Sequence, residues 1–469
     1  MLDVAGRHVL VCGGGVAGAA SARVLLSMGA DVSIADVNHR PEIARLEAAG
    51  ARYAGDPEEP PPGTDLIVAS PGWRLDRPLF VTARSRGIEA IGEIELAWRL
   101  RGADAAPWLA VTGTNGKTTT VRMLESILRA AGLRALAVGN VGVPVVEAVA
   151  RGGYDVLAVE LSSFQLAWSS SLDPDAAAVL NLAPDHLDWH GTMAAYTAAK
   201  ATLWSGGVAV GNADDPAVAG LLAVAASPAK VSFTVLGPPD AGQLGVEDGV
   251  LSDRAFGAGA LLGAAEIRPA GAHNVANALA AAALALSHGV GGQAVATGLR
   301  AFVPDPHRNA FVAGVAGVDY VDDSKATNPH AASAALSAYR RVVWIAGGQL
   351  KGVDIDALVA GMAARPGLLA GAVLLGVDRA EIAAALARHA PDVPVIDVAR
   401  TDDGAMSEAV RAATSLARPG ETVLLSPAAA SYDMFASYAD RGARFAAAVR
   451  ELDAASARAP RAARGDGAG

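Results

Sequence analysis

Residues 112–119, Thr-Gly-Thr-Asn-Gly-Lys-Thr-Thr, constrain this chain more tightly than any other segment. They stand between an apolar, unalternating run (108–112, WLAVT), which reads as a strand buried on both faces, and a helical stretch over 119–131. A glycine-bracketed loop carrying lysine and threonine at that junction turns consecutive backbone N–H groups toward one point. Such a cradle suits a polyphosphate, with Lys117 reaching the β- and γ-oxygens and the Thr118 hydroxyl suited to Mg²⁺. The general phosphate-loop pattern carries a glycine five positions before Gly116; this chain has Val111 there.

The strand, glycine turn, helix alternation recurs along the chain. Runs 8–12 (HVLVC), 31–35 (DVSIA) and 65–69 (DLIVA), with a helix over 17–28, mark a first block. Runs 155–160 (DVLAVE) and 176–181 (AAAVLN) continue the second, and 341–346 (RVVWIA), 372–375 (AVLL) and 422–425 (TVLL) mark a third. This alternation predicts α/β architecture with parallel, doubly wound sheets in all three blocks. At roughly 150 residues per domain, 469 residues accommodate about three domains. Segments 99–107 (RLRGADAAP) and 303–307 (VPDPH) have hinge composition, and the tail from about residue 454 is expected to be disordered.

Gly13, Gly15 and Gly18 form G-x-G-x-x-G after the first strand, with Asp36 just past the second. Bare backbone there lets a diphosphate approach a helix N-terminus, and the acid can hold a ribose or a base. The same pattern also makes a plain tight turn. It does not choose among nucleotides, so a nicotinamide dinucleotide stays open at this point. In the middle block Glu160 ends a strand, and Asp185, His186, Asp188 and His190 cluster after another. Strand ends are where α/β sheets place ligands, so this cluster suits metal or catalytic use, although single surface acids and histidines are more often only solvated. Lys200, on a helix over 196–203, reads by itself as an exposed helix lysine. His273, Asn274 and Asn277 open an alanine-rich helix over 274–286, where Asn274 suits an N-cap and the remainder suits a packed core. In the third block, polar loops 322–328 (DDSKATN), 347–352 (GGQLKG) and 425–431 (LSPAAAS) each follow a strand. Such loops would converge on one sheet edge, or serve as ordinary connections.

Composition limits the partners. With 38 basic and 48 acidic residues the net charge is −10, which argues against nucleic acid or an anionic membrane as the main partner. Small phosphate ligands remain compatible, because local amides grip them. A hydrophobic fraction of 52% against 18% charged excludes a mostly disordered chain. No apolar run reaches the roughly 18–20 residues of a membrane span. Asp3, Arg7 and His8, followed by glycines, stand where a signal peptide needs an apolar stretch. Cys12 is the single cysteine, so a reducing compartment fits, and the chain is expected to be cytoplasmic.

Taken together, these segments resemble the Mur ligases of peptidoglycan synthesis. The resemblance is carried by TGTNGKTTT, GNVGVP (139–144), VELSSFQL (159–166), NLAPDHLD with AAK, GAHNVANALA, PHR, DDSKATN, GGQLKG and LSPAAASYDMF, and covers nearly the whole chain. The loop at 113–118 and the Glu160 and His186 segments are also similar in folylpolyglutamate synthases, whereas DSKATN and SPAAAS point to the D-glutamate-adding branch. The resemblance implies three domains: a Rossmann-like UDP-sugar-binding domain (1–102), a central P-loop ATP-binding domain with a parallel sheet (103–304) and a Rossmann-like amino-acid-binding domain (305–455), then a disordered tail (456–469). It implies an ATP-dependent ligase that adds D-glutamate to UDP-N-acetylmuramoyl-L-alanine through an acyl phosphate, acting as a monomer without nucleic acid or membrane insertion.

Residue by residue, Gly113, Thr114, Asn115, Gly116, Lys117, Thr118 and Thr119 would bind ATP phosphates, with Asn274, Asn277, Arg308 and Asp323 toward adenosine. Thr118, Glu160, His186 and Lys200, the last as a carbamate formed with CO2, would hold Mg²⁺, two ions in all, and Lys117 would join Glu160, His186 and Lys200 in catalysis. A lysine ammonium repels Mg²⁺, whereas its carbamate is an anionic oxygen ligand. Gly15, Val16, Ala17, Asp36 and Gly72 would form the UDP pocket, with Asn140, Ser162 and Gln165 toward the sugar-peptide. Lys325, Thr327, Lys351, Ser431 and Tyr438 would take D-glutamate. Tyr432 and Tyr438 stand where other members can carry Leu and Phe, and Ala429 replaces a frequent Cys.

Overall fold

The computed structural model describes residues 2–458, apart from the side chains of Asp188 and of 455–458. Of the expected tail, residues 456–458 continue the helix Tyr438–Arg458, and 459–469 lie outside the described residues. Among the described residues the chain forms three sheets. The first holds β1 (His8–Cys12), β2 (Asp31–Ala35), β3 (Arg52–Gly55), β4 (Leu66–Ala69) and β5 (Glu89–Gly92), all parallel, in the order β3-β2-β1-β4-β5. Val9 to Cys12 are fully buried, as an unalternating run sandwiched between helices must be.

The second sheet contains β6 (Trp108–Thr112), β7 (Ala135–Gly139), β8 (Val156–Glu160), β9 (Ala176–Val179), β10 (Val208–Asn212), β11 (Ala229–Phe233), β12 (Gln243–Glu247), β13 (Val250–Asp253) and β14 (Gly259–Gly263). Its order is β14-β13-β12-β11-β10-β9-β6-β8-β7. The third holds β15 (Ala310–Val315), β16 (Val318–Asp322), β17 (Val342–Gly347), β18 (Leu369–Leu375), β19 (Val395–Asp397) and β20 (Thr422–Leu425), in the order β15-β16-β20-β17-β18-β19.

Two departures from the all-parallel expectation have a local cause. β12–β13–β14 and β15–β16 are antiparallel. The β12–β13 turn places Asp248 and Gly249 at φ 49° and 77°, and the β15–β16 turn places Ala316 and Gly317 at φ 52° and 81°. Consecutive positive φ values define the tight hairpin turn whose twist matches paired strands, and Asp-Gly is among its favoured sequences.

The chain divides into two units, one comprising residues up to Ile267 together with Asn274–Phe302, the other Arg268–His273 and the chain from Val303 on. The first unit therefore contains two sheets, and particular side chains join them. Glu95, fully buried on the helix Glu93–Leu100, accepts from the amides of Ser170 (2.9 Å) and Ser171 (3.1 Å) and from the Ser171 hydroxyl. Trp168 donates through Nε1 to the Trp73 carbonyl (3.0 Å), and its own carbonyl accepts from the Gly92 amide (2.9 Å).

The first glycine turn shows where close approach is needed. A Cβ on Gly18 would stand 1.8 Å from the Gly13 carbonyl oxygen, whereas one on Gly15 would meet nothing within 4 Å. Gly18→Ala is expected to destabilise the protein by about 1–3 kcal/mol, even after the roughly 1 kcal/mol alanine gains within a helix. Gly15→Ala should cost under about 1 kcal/mol. Urea unfolding of the two variants checks the contrast.

Candidate active site

The phosphate loop leaves β6 at the centre of its sheet, between β8 and β9. Strand order reverses there, and in an open α/β sheet ligands bind at that crevice. Val111 lies inside β6, fully buried and paired with Glu160 and Ala178, so the glycine of the general pattern has no turn to serve. The loop is clasped from the β9 side: the Thr114 amide donates to the Asn181 carbonyl (2.9 Å), the Asn115 amide to Asn181 Oδ1 (2.8 Å), and Asn181 Nδ2 to the Asn115 carbonyl (3.0 Å). Gly116 is left-handed (φ 85°), and a Cβ there would lie 2.3 Å from Asn277 Oδ1. The helix Lys117–Ala130 that follows has no side-chain cap, so first-turn amides including those of Thr118 and Thr119 lack intrahelical acceptors and suit an anion.

Two lysines meet at this loop. Lys117 Nζ donates to the carbonyls of Gly113 and Thr114 (both 2.9 Å). Lys200 Nζ donates to the same Gly113 carbonyl (2.8 Å) and to Thr112 Oγ1 (3.3 Å). Lys200 is 1% exposed, against the exposed position expected of an isolated helix lysine. Its helix, Met193–Ala201, turns Lys200 and Tyr196 inward together, and the Tyr196 hydroxyl bonds Thr114 Oγ1 (2.9 Å). Burial and then the neighbouring Lys117 charge push the Lys200 pKa well down, with Asp185 and Glu160 pulling the other way.

Glu160, at the carboxyl end of β8, is buried; Oε1 accepts from Asn140 Nδ2 (3.0 Å), while Oε2 has no hydrogen-bond partner among the described residues. A buried carboxylate oxygen left open in this way fits a bound cation. His186, left-handed at φ 53°, packs on Phe164 at 4.6 Å and lies 3.5 Å from Asp185. His190 Nε2 bonds Ser163 Oγ (2.9 Å), which gives that histidine a packed role. Asp188 has its side chain outside the described residues. Asn274 is not the N-cap: the helix Ala272–Ser287 starts two residues earlier, and Asn274 is buried, accepting from Asn277 Nδ2 (3.2 Å).

In the first block a cavity of about 560 Å³ opens where strand order reverses between β1 and β4, lined by Gly15, Val16, Ala17, Asp36 and Gly72. Asp36 Oδ2 accepts from the Gly14 amide (2.7 Å) and Oδ1 from the Asn38 amide (3.0 Å). Burial opposes its charge, but those amides and Arg40 outweigh it and hold its pKa below the usual value. Val16 and Val37 are 76% and 66% exposed on this rim, an apolar edge suited to a flat ring. A second cavity of about 250 Å³ adjoins Val16 and Ala17 and is lined also by Asn140, Gln165 and Glu93. Ser162 caps the helix Ser163–Ala167 and bonds Gln165 Oε1 through both its amide and its hydroxyl (2.9 Å each).

In the other unit the three polar loops follow β16, β20 and β17, which are neighbours, so they meet at one sheet edge. Gln349 and Ala430 exchange two backbone bonds of 2.9 Å. Arg441, 1% exposed, donates to Ser324 Oγ (2.9 Å) and to the carbonyls of Ser324 (2.8 Å), Gly347 (3.3 Å) and Ala429 (3.1 Å), so that all three loops bond to it. Ser324 Oγ donates in turn to the Tyr438 carbonyl (2.8 Å), and Lys325 Nζ lies 3.9 Å from the Tyr438 ring. Lys351 is exposed, at φ 56°, with Nζ 5.9 Å from the Tyr432 ring. Ser431 is buried, and Thr327 is half-buried just before the helix Pro329–Ser337. Asp323 accepts from Ser426 Oγ (3.0 Å) and the Asn309 amide (3.0 Å); burial carries its carboxyl up to about 7 against those bonds, and Arg308 is the cation acting on it.

Three family domains match in sequence along the chain: "Mur ligase MurD-like, N-terminal domain" at 7–92, "Mur ligase middle domain" at 111–285 and "Mur ligase, glutamate ligase domain" at 307–429. The chain is a Mur ligase. Curated relatives named UDP-N-acetylmuramoylalanine–D-glutamate ligase include that of Thermobifida fusca, 55% identical over 468 residues (96% of this chain, 100% of the relative). That of Streptomyces coelicolor is 54% identical over 472 residues (96% and 99%). Among solved structures, the fold is similar to a pseudomurein peptide ligase type C of Methanothermus fervidus (TM-score 0.60, 19% identity, 95% and 100% covered). It is also similar to the UDP-N-acetylmuramate–alanine ligase of Thermotoga maritima (TM-score 0.58, 20% identity, 95% and 99%). Mur ligases use ATP and Mg²⁺. Among the described residues no helix is long and apolar enough to cross a membrane.

Sequence reading of this Mur ligase passed over Arg441 and Glu93. Arg441 sits on a long helix with no local pattern around it. Glu93 follows Gly92 at a strand-to-helix junction, the one signal that could have marked it. Arg441→Met would leave the buried carbonyls of Ser324, Gly347 and Ala429 without this donor. At about 1–3 kcal/mol per unsatisfied group, a loss of at least ~3 kcal/mol is expected in chemical denaturation, with Arg441→Lys recovering only part.

Proposed function

We propose that this Mur ligase joins D-glutamate to the L-alanyl carboxylate of UDP-N-acetylmuramoyl-L-alanine at the expense of ATP, in peptidoglycan precursor synthesis. The observation that carries the reading is near-complete alignment, at 53–55% identity, with four relatives of that printed name. The phosphate loop and the converging loops of the third sheet are consistent with it. An acceptor carboxylate oxygen attacks the γ-phosphorus, the bond to ADP breaks, and an acyl phosphate forms. The D-glutamate nitrogen then attacks the acyl carbon, phosphate leaves, and the nitrogen gives up a proton. A free carboxylate acylates poorly, so phosphorylation supplies the leaving group, and the protein contributes alignment and charge neutralisation.

In this reading Gly113 to Thr119 hold the ATP phosphates. Lys117 exchanges its loop carbonyls for phosphate oxygens, and Asn274, Asn277, Arg308 and Asp323 serve adenosine. Gly15, Val16, Ala17, Asp36 and Gly72 hold UDP, and Asn140, Ser162 and Gln165 face the sugar-peptide. Lys325, Thr327, Lys351, Ser431 and Tyr438 hold D-glutamate, with Lys351 as the cation opposite a dicarboxylate. These roles follow domains bounded at 1–102, 103–304 and 305–455, in a monomer working in the cytoplasm. Thr118, Glu160, His186 and carbamylated Lys200 would hold two Mg²⁺ ions, which neutralise phosphate charge when bound. The lowered Lys200 pKa supports the carbamate, since only the neutral amine is nucleophilic. Its nitrogen attacks the carbon of CO2, one C=O pair moves onto oxygen, and a proton leaves nitrogen.

Phosphate release from ATP, assayed with UDP-N-acetylmuramoyl-L-alanine across a panel of D- and L-amino acids, should be selective for D-glutamate. No release with that pair would refute the function. Lys117→Ala should fold normally and lose turnover by a factor of at least about 10²; near-normal release by the folded variant contradicts its role. Lys200→Ala should lose activity and regain part of it with short carboxylic acids. Because a depressed lysine pKa costs stability below the unfolded value and less as pH rises, the same variant should gain relative stability most at neutral and acid pH.

A further inference from the structure

Glu93 is a buried carboxyl for which the reaction just described has no use. It stands at the first turn of the helix Glu93–Leu100, 2% exposed, in the wall of the 250 Å³ cavity beside Val16, Ala17, Asn140 and Gln165. Its Oε1 accepts from the Val146 amide (3.2 Å), and the Val145 amide and the Gln165 side chain lie near enough to favour its charged form. Gln165 is fixed at its Oε1 by Ser162, and its side chain stands beside Glu93 in the same cavity wall. The open first-turn amides at Val16 and Ala17 share this cavity, and they are where a diphosphate would dock. An ionised Glu93 would share that cavity with the diphosphate, and the like charges would oppose binding.

Resting on the proposed acceptor, we propose that Glu93 is a positioning residue that enters the complex protonated, orienting the Gln165 amide with its carbonyl oxygen and turning its O–H to a substrate oxygen in the cavity. The proton comes from solvent, so binding the acceptor takes up protons. Burial brings the carboxyl up to about 7 in the free protein, against the pull of the two amides and Gln165. The charged groups on elements packed against it are few. Glu147 and Arg151 lie on the helix Val145–Arg151, Arg23 on the helix Val16–Ser27, Glu89 on β5, and Glu95 and Arg99 on its own helix. Of these Glu147 acts on Glu93, raising its pKa, and Glu147 is itself bonded to Arg23 (2.8 Å). Among the described residues Glu93 forms no ion pair that would keep it ionised.

The test is calorimetric titration of UDP-N-acetylmuramoyl-L-alanine into the full chain at pH 7.5, in buffers of different ionisation enthalpy. Wild type should take up roughly half a proton or more per acceptor bound, and its affinity should fall by up to about tenfold per pH unit above 7. Glu93→Gln, which keeps the shape and a carbonyl oxygen, should bind with neither proton uptake nor that slope. A purely structural cap would shift unfolding and leave both unchanged. Equal uptake in the two proteins, or none in either, overturns the inference. Should Glu93→Gln fail to fold, infrared difference spectra of wild type decide: a protonated-carboxyl C=O band appearing on acceptor binding supports it, and no such band overturns it. A chain that binds no acceptor at all would refute the proposed function, and this inference with it.

Discussion

Two amines share one carbonyl oxygen at the heart of the middle sheet, and much of the site follows from that crowding. Lys117 and Lys200 both donate to Gly113 O, and like charges so close disfavour each other. The pair resolves unequally. Lys117 begins a helix at the loop and is half-buried, whereas Lys200 is sealed beneath it by Tyr196 and Thr112 and has its pKa pushed well down. Glu160, buried at the end of the neighbouring strand, leaves one carboxylate oxygen without a hydrogen-bond partner among the described residues.

The first unit explains why its two sheets act as one body. Glu93 and Glu95 lie on one helix of the first block, and both accept amides from the middle block, at Val146 and at Ser170 and Ser171. Trp168 fills the seam, with Phe80 edge-on at 4.7 Å. Carboxylates inserted against backbone donors fix orientation better than apolar packing alone, because a shift of about an ångström breaks them. The second cavity lies along this seam, so the distance from Val16 to Gln165 is set by the joint.

Strands were legible where they run unalternating and buried, as in 8–12 and 108–112, because such a run has few other ways to hide its side chains. The phosphate loop and the strand-end polar loops were legible for a related reason: glycine, lysine and hydroxyls at a strand-to-helix junction have little packing use. The hairpin at β12–β13 was present in the text as Asp248-Gly249, yet it was masked by the regular βα rhythm around it. Lys200 could not be read locally. Its burial depends on Thr112 and Gly113, nearly ninety residues away in sequence (88 and 87), and a helix pattern says nothing about a partner so remote.

Arg441 marks the same limit from the other side. Its helix, Tyr438–Arg458, looks amphipathic and ordinary, and nothing near Arg441 in sequence hints that three strand-end loops converge on it. The adjacency that creates its role is topological: β20 inserts between β16 and β17, which brings Ser324, Gly347 and Ala429 to one point. Three carbonyls facing inward need a donor that is planar, many-handed and permanently charged, and arginine alone meets all three conditions. Burial lowers its pKa only to about 10, so it stays charged at neutral pH with Asp433 and Asp322 nearby. Parallel sheets of this kind generate such needs wherever adjacent strand ends turn their last carbonyls together. A buried arginine close to the C-terminus of an α/β domain is therefore better read as the counterpart of a loop cluster than as a stray surface charge.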